Sequence, residues 1–320
     1  MSQPLPAVSA TTAAAVSPST KSRRRTRLQL STRWAPYVLL GPFLVLFVVF
    51  GLYPLLFSLY LAFQSWEPTS GLHAMQFVGF DNFAFALQDE WFWKSLSNTG
   101  WLALASGVPQ HLVAIPVACF IHARIKRFRN LLVGAYFVPY ITSTVAIAIL
   151  FTSLFSTDYG LINSGLRAIW NGEPIDWLNK PGTIKPTIAL LVFWRYVGFN
   201  VVLYLAALQT IPADLYEAAT IDGAKAWQQF RYITLPSLRP AILFGVTLSV
   251  IGGLQLFEEP FILTNGKGGS DQAGMTTAFY LFRMAFDFND FGAASAMSWL
   301  LFAVVAVLTW ATHKALGRRT

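Results

Sequence analysis

"APYVLLGPFLVLFVVFGLYPLLFSLYLAF", Ala35 to Phe63, contains no charged side chain. A bilayer core needs about 20 apolar residues in helix, so the run is long enough to cross one. Five similar runs follow. The spans are read near Pro36–Phe63, Thr99–Ile121, Leu131–Leu154, Thr187–Leu208, Pro240–Leu263 and Ala293–Ala311. In lipid every backbone polar group must be satisfied within the segment or by a closed sheet, and at this length a helix does so. The expected fold is therefore an all-α integral membrane bundle of six spans. Pro42, Pro54, Pro109, Pro116 and Pro139 fall inside these runs and predict kinks.

Composition agrees. Of 320 residues 55% are hydrophobic and 12% charged, against about 25% charged in soluble domains. The net charge of +8 admits two partners, nucleic acid or an anionic membrane surface. The positions of the charges favour the membrane. Lys and Arg gather in the N-terminal stretch, in "HARIKRFRN", in the segment between spans four and five, and in the tail. The alternate loops hold Lys94, Arg167, Lys180, Lys185, Lys267 and Arg283 among ten acids such as Asp81, Asp89, Asp176 and Asp287. Basic loops stay inside, so both termini are expected in the cytoplasm, and an even number of spans, which puts them on one side, agrees. Residues 1–33 are expected to be a disordered basic cytoplasmic tail, and 34–320 the transmembrane domain. The basic flank is read as holding the first span inside rather than as a twin-arginine export signal.

Several chemistries find no support. Cys119 is the single cysteine, and His73, His111, His122 and His313 show no ligand-like spacing, so no metal site is expected. "NGKGGSD" lacks the upstream glycine and the Ser or Thr of a phosphate loop. No nucleophile elbow, H-E-x-x-H or dinucleotide fingerprint appears. The chain is expected not to be an enzyme. Its extracytoplasmic loops are too short to form a receptor domain, so solute capture would fall to a separate protein.

One cytoplasmic segment does not read as a plain connector. "DLYEAATIDGAKAWQQFRYITLP", Asp214–Pro236, mixes acids, bases and apolar residues. Pro212 suits a helix start. Gly223 suits a helix C′ position, where φ is positive. A second helix from Ala224 to about Ile233 is expected to stop at "TLP", because the residue before proline avoids the α region. Ala226, Phe230 and Ile233, with Trp227 beside them, give that helix an apolar stripe. An interfacial hairpin would be richer in Lys and Arg. A helix pair docking on a cytoplasmic protein fits better.

"EAATIDGAKAWQQFRYITLP" resembles the EAA signature of permease subunits in binding-protein-dependent ABC importers. That signature is Glu-Ala-Ala, three residues, Gly, nine residues, Ile, one residue, Leu-Pro. Glu217, Ala218, Ala219, Gly223, Ile233, Leu235 and Pro236 meet it. "LQLFEEPFILTNGKGG" and "LFRMAFDFNDFGAASAMSWLLF" are similar to the carbohydrate branch, of maltose, lactose and glycerol-phosphate permease type. One departure is "TNGKGGS", where that branch often has a Gly-Gly-Gly-Pro-like turn.

The resemblance implies that 212–236 is a coupling loop, its cytoplasmic coupling helix pair lying between spans 4 and 5. Glu217, Ala218, Ala219, Asp222, Gly223, Ile233, Leu235 and Pro236 would be its ATPase-coupling residues, with Glu217 paired to a basic group on the ATPase. It also implies a second homologous permease forming a heterodimer, a cytoplasmic ATPase dimer carrying ATP and magnesium, an extracytoplasmic solute-binding protein, a sugar substrate and a bacterial plasma (inner) membrane location. The chain itself would bind no cofactor. A non-sugar solute such as glycerol phosphate is an alternative, as is a secondary transporter or channel. Charges inside spans usually serve function, so Trp194, Arg195, Asn200, Gln255, Glu258 and Glu259 are candidates for the substrate path. Snorkelling of Arg195 with interface exposure of the glutamates, or an internal Arg195–glutamate pair, are the other readings of those charges.

Overall fold

The computed structural model describes residues 35–317 apart from 126 and 171. The expected tail at 1–33 therefore lies outside the described residues. The chain divides after Pro54 into two units. In the first, α1 (Ala35–Phe47) continues through a π-helical turn at Val48–Leu52 into the start of α2 (Tyr53–Leu61). The π-turn has a local cause. Pro54 has no N–H, and its ring collides with the carbonyl four residues back in a regular helix. The wider turn, closed by Tyr53 N–H to Val48 O, relieves that collision without a sharp break.

The second unit follows from Leu55. A short hairpin, β1 (Gln64–Ser65) against β2 (Gln76–Phe77), precedes α3 (Asp81–Gln88). Then come α4 (Glu90–Arg124), α5 (Arg129–Ile141), α6 (Thr144–Leu154), α7 (Leu161–Trp170) and α8 (Pro181–Leu208). The order closes with α9 (Ala213–Ile221), α10 (Ala226–Gln229), α11 (Leu235–Leu254), α12 (Glu258–Leu263), α13 (Thr277–Phe286) and α14 (Phe291–Gly317).

Among the described residues five helices are long and apolar enough to cross a membrane, and α5 with α6 makes a sixth if the bent pair is one span. Those two helices meet at 90°. Pro139 was expected to kink this span. The break instead falls just beyond it, where Thr142 is extended (φ −76°, ψ 149°). The Thr142 hydroxyl donates to Val138 O at 2.7 Å. Such side-chain bonds to nearby backbone compete with helix continuation. Span five also differs from expectation. It was read to 263, but α11 ends at Leu254 and α12 restarts separately after Gln255 and Phe257 leave helical geometry.

Packing centres on α4 and α8. Ala114, Ala118 and Ile121 of α4 bury against Val201, Tyr204 and Leu208 of α8 and Leu238 of α11. A second cluster joins α6, α8 and α12 through Ile147, Phe151, Ile188, Leu191 and Leu263. At Gly198 the backbones of α8 and α5 nearly touch, since an added Cβ would lie 1.7 Å from Tyr136 O. Small residues at such crossings let membrane helices approach closely. Asn98 of α4 holds the turn before α13, donating to Gln272 O and Met275 O, each at 2.9 Å.

Candidate functional site

The segment from Pro212 to Pro236 forms two helices around a corner. Gly223 has φ +79°. Its N–H donates to Thr220 O, and Ala224 N–H donates to Ala219 O at 2.9 Å. These are the two bonds of a Schellman motif, which ends a helix on a left-handed residue. Asp222 is the preceding cap residue. Gln228 then reaches back, its Oε1 accepting from Lys225 N–H at 2.7 Å, which starts α10. Gln229 Nε2 donates to Thr220 Oγ1 at 3.0 Å, and Tyr216 and Thr234 share a hydroxyl hydrogen bond of 2.9 Å. The corner is therefore braced on its inner side.

The expected stop at "TLP" does not occur. Phe230–Thr234 is a π-turn, closed by Leu235 N–H to Phe230 O, and Leu235 keeps helical geometry (φ −64°, ψ −42°). Helix runs from Ala226 to Leu254. As before Pro54, the wide turn precedes the proline and takes up its missing donor. The preference of a pre-proline residue against helix is thus overridden by the π geometry.

Glu217, Ala218, Asp222, Gly223 and Pro236 are exposed, while Ala219, Ile233 and Leu235 are half-buried. Glu217 has no partner among the described residues. Beside these lie Ile221, 87% exposed, and Trp227, 66% exposed and packed on the Phe230 ring at 5.4 Å. Phe230 itself turns inward to a cleft with Phe120, Leu208 and Tyr216.

The candidates inside the spans separate into three groups. Arg195 and Glu259 are both buried and paired, Nη1 to Oε1 at 3.1 Å. Asn200 is buried, and its Nδ2 donates to Gln110 Oε1 at 3.2 Å and to Tyr196 O at 3.3 Å. Trp194, Gln255 and Glu258 are exposed on the chain surface, Trp194 lying 5.7 Å from the Phe151 ring.

Asn200 lines a cavity of about 290 Å³ between α4, α5, α8 and α11. Tyr140, Tyr196 and Phe199 form one wall, with Tyr140 and Phe199 rings 4.8 Å apart. Gln110 and Ser249 add polar groups, Gly252 leaves space on the α11 side, and Gly253 lets α11 close on Ala103 of α4, where an added Cβ would lie 2.9 Å from the Ala103 side chain. Sequence reasoning missed all of these except Asn200. The available signal was polarity within apolar runs: Gln110 in span two, and Tyr196 with Asn200 one helical turn apart.

Residues 112–320 match the model of the binding-protein-dependent transport system inner membrane component family. The chain is 37% identical to the lactose transport system permease protein LacF of Rhizobium radiobacter, over 86% of this chain and 91% of that one. It is 33% identical to the arabinooligosaccharides transport system permease protein AraP of Bacillus subtilis (strain 168), over 90% of each. Among solved structures it resembles a bacterial ABC transporter involved in the import of the acidic polysaccharide alginate. That match has a TM-score of 0.77 at 25% identity, over 90% of this chain and 96% of that one. With several membrane-crossing helices on the same plan, the chain belongs to the binding-protein-dependent transport system inner membrane components, the multi-pass permease subunits of ABC importers.

Proposed function

We propose that this permease imports a sugar or oligosaccharide across the bacterial inner membrane, with both termini in the cytoplasm. The observation that carries the sugar reading is the cavity between α4, α5, α8 and α11. Aromatic walls suit the apolar faces of a sugar ring, and Gln110, Asn200 and Ser249 suit its hydroxyls. The kinship with lactose and arabino-oligosaccharide permeases supports the same class.

The path is completed by a second, homologous permease, where exposed Trp194, Gln255 and Glu258 are available to it. A separate ATPase dimer holds ATP and magnesium and docks on the α9–α10 corner. Unpaired Glu217 meets a basic group there, and exposed Ile221 and Trp227 bury against it. The unbroken helix from Ala226 to Leu254 supports this role, because displacement at α10 is transmitted directly along α11. An extracytoplasmic binding protein delivers the solute.

The test is a proteoliposome-reconstituted complex of this chain with its ATPase, second permease and binding protein. Disaccharides or arabino-oligosaccharides are expected to stimulate ATP hydrolysis, and Asn200→Leu to reduce that stimulation at unchanged assembly. Stimulation by glycerol phosphate and by no sugar would overturn the substrate class.

A further inference from the structure

Arg195 touches two helix breaks at once. Its Nη1 donates to Glu259 Oε1 at 3.1 Å and to the Thr144 hydroxyl, and its Nη2 lies 3.5 Å from Thr142 O. Thr142 and Thr144 flank the 90° bend between α5 and α6. Glu259 stands in the first turn of α12, just past the interruption that ends α11. The guanidinium also stacks over Tyr196, 5.4 Å from the ring centroid, and Tyr196 lines the cavity.

Stability is a poor explanation for this pair. Apolar residues of similar volume usually stabilise a buried site as well as an ion pair does. Charges within spans are retained where they serve a function. The surroundings point to that function. Beside the pair, α6, α12 and α8 share one apolar cluster, and two of its members, Val192 and Leu256, also line the cavity. Val192 belongs to α8 and Leu256 to the turn before α12, so the half-helices α6 and α12 form a layer packed behind that part of the cavity wall. In the other direction α8 runs about 20 Å at 1.5 Å per residue from Arg195 to its end at Leu208, shortly before α9 begins at Ala213.

We infer that Arg195 and Glu259 form a clamp by which α8 carries α6 and α12 with it, so that movement imposed at α9 shifts the layer packed behind the cavity wall. Arg195 is a positioning residue for transport. This rests on the importer reading above. A planar fork is suited to the task because it holds a carboxylate and the bend at the same time. The contacts are polar and directional, so the layer is held in register with α8 rather than only packed against it.

The experiment uses the full complex in proteoliposomes with sugar-loaded binding protein. Single changes leave a buried unpaired charge and can fail by misfolding, so the principal variant is R195Q/E259Q, which removes both charges. Thr144→Val, which removes one clamp contact and no charge, is the second. Uptake, ATP hydrolysis and complex yield are measured together. The double variant is expected to assemble and hydrolyse ATP at wild-type levels while sugar imported per ATP falls about tenfold, within the range of ordinary coupling energies. Thr144→Val is expected to give a smaller loss of the same kind. Wild-type uptake per ATP in the double variant overturns the clamp. So does a loss of yield, hydrolysis and uptake in equal proportion, which assigns the pair to folding. Absence of ATP-driven uptake by the wild-type complex overturns the importer reading instead.

Discussion

Tyr216 and Thr234, eighteen positions apart, meet through a hydroxyl–hydroxyl hydrogen bond of 2.9 Å that ties α9 to the π-turn leading into α11. Thr234 is buried, so its hydroxyl depends on protein partners. Tyr216→Phe removes one such partner and is expected to cost about 1 kcal/mol. The corner then loosens, and ATP hydrolysis in the assembled complex should respond less to substrate. Stimulated ATPase activity, compared with the unstimulated rate, measures this.

Gly223 tests the corner differently. Its φ is +79°, yet a Cβ there would meet nothing within 4 Å. The constraint is backbone conformation alone. Asn tolerates the left-handed region, whereas a β-branched residue does not. Gly223→Asn is expected to transport near the wild-type rate. Gly223→Val should pay about 1–3 kcal/mol of strain and lose transport while the spans stay folded. Uptake assays alongside thermal unfolding in detergent separate the two.

Gly198 presents the opposite case, a helical glycine with no room. A Cβ would lie 1.7 Å from Tyr136 O. Gly198→Ala must push α8 from α5, and overpacking of this kind costs about 1–3 kcal/mol, occasionally more. The expected outcome is a lower melting temperature of the purified chain, with Gly165→Ala, which meets nothing within 4 Å, as the silent comparison.

Asn163 organises the segment after α6. It is buried, donates to Ser156 O, Thr157 O and Ile175 O, and accepts from Ile175 N–H and Trp177 Nε1. Asn163→Ala strands those groups, at about 1–3 kcal/mol for each one left buried and unsatisfied. Limited proteolysis should cut between α6 and α8 faster in this variant, leaving α8 and α11 intact.

How far these features were legible depends on the range of the physics behind them. The spans were legible because lipid demands long apolar helices, and Gly223 because only a left-handed residue closes that corner. Leu235–Pro236 misled, since a local rule against helix before proline cannot anticipate a π-turn that accommodates it. Arg195 was visible as a costly charge. Its choice of Glu259 over the adjacent Glu258, however, depends on the turn at Gln255–Phe257, which no periodicity announces. Trp194 and Gln255 went to the surface because hydropathy finds a span without giving its rotation.

The π-turn at Phe230–Thr234 has a consequence for that rotation. Each residue advances a helix by about 100°, so the one additional residue in the turn sets the azimuth of everything after it. Leu238 and Gly245, which now point into the bundle, would swing toward its outside if Phe230–Thr234 wound as regular α-helix with no residue removed. The facing of span five is thus dialled by a five-residue segment that precedes α11, within the same stretch that holds Ile233 and adjoins Leu235 and Pro236.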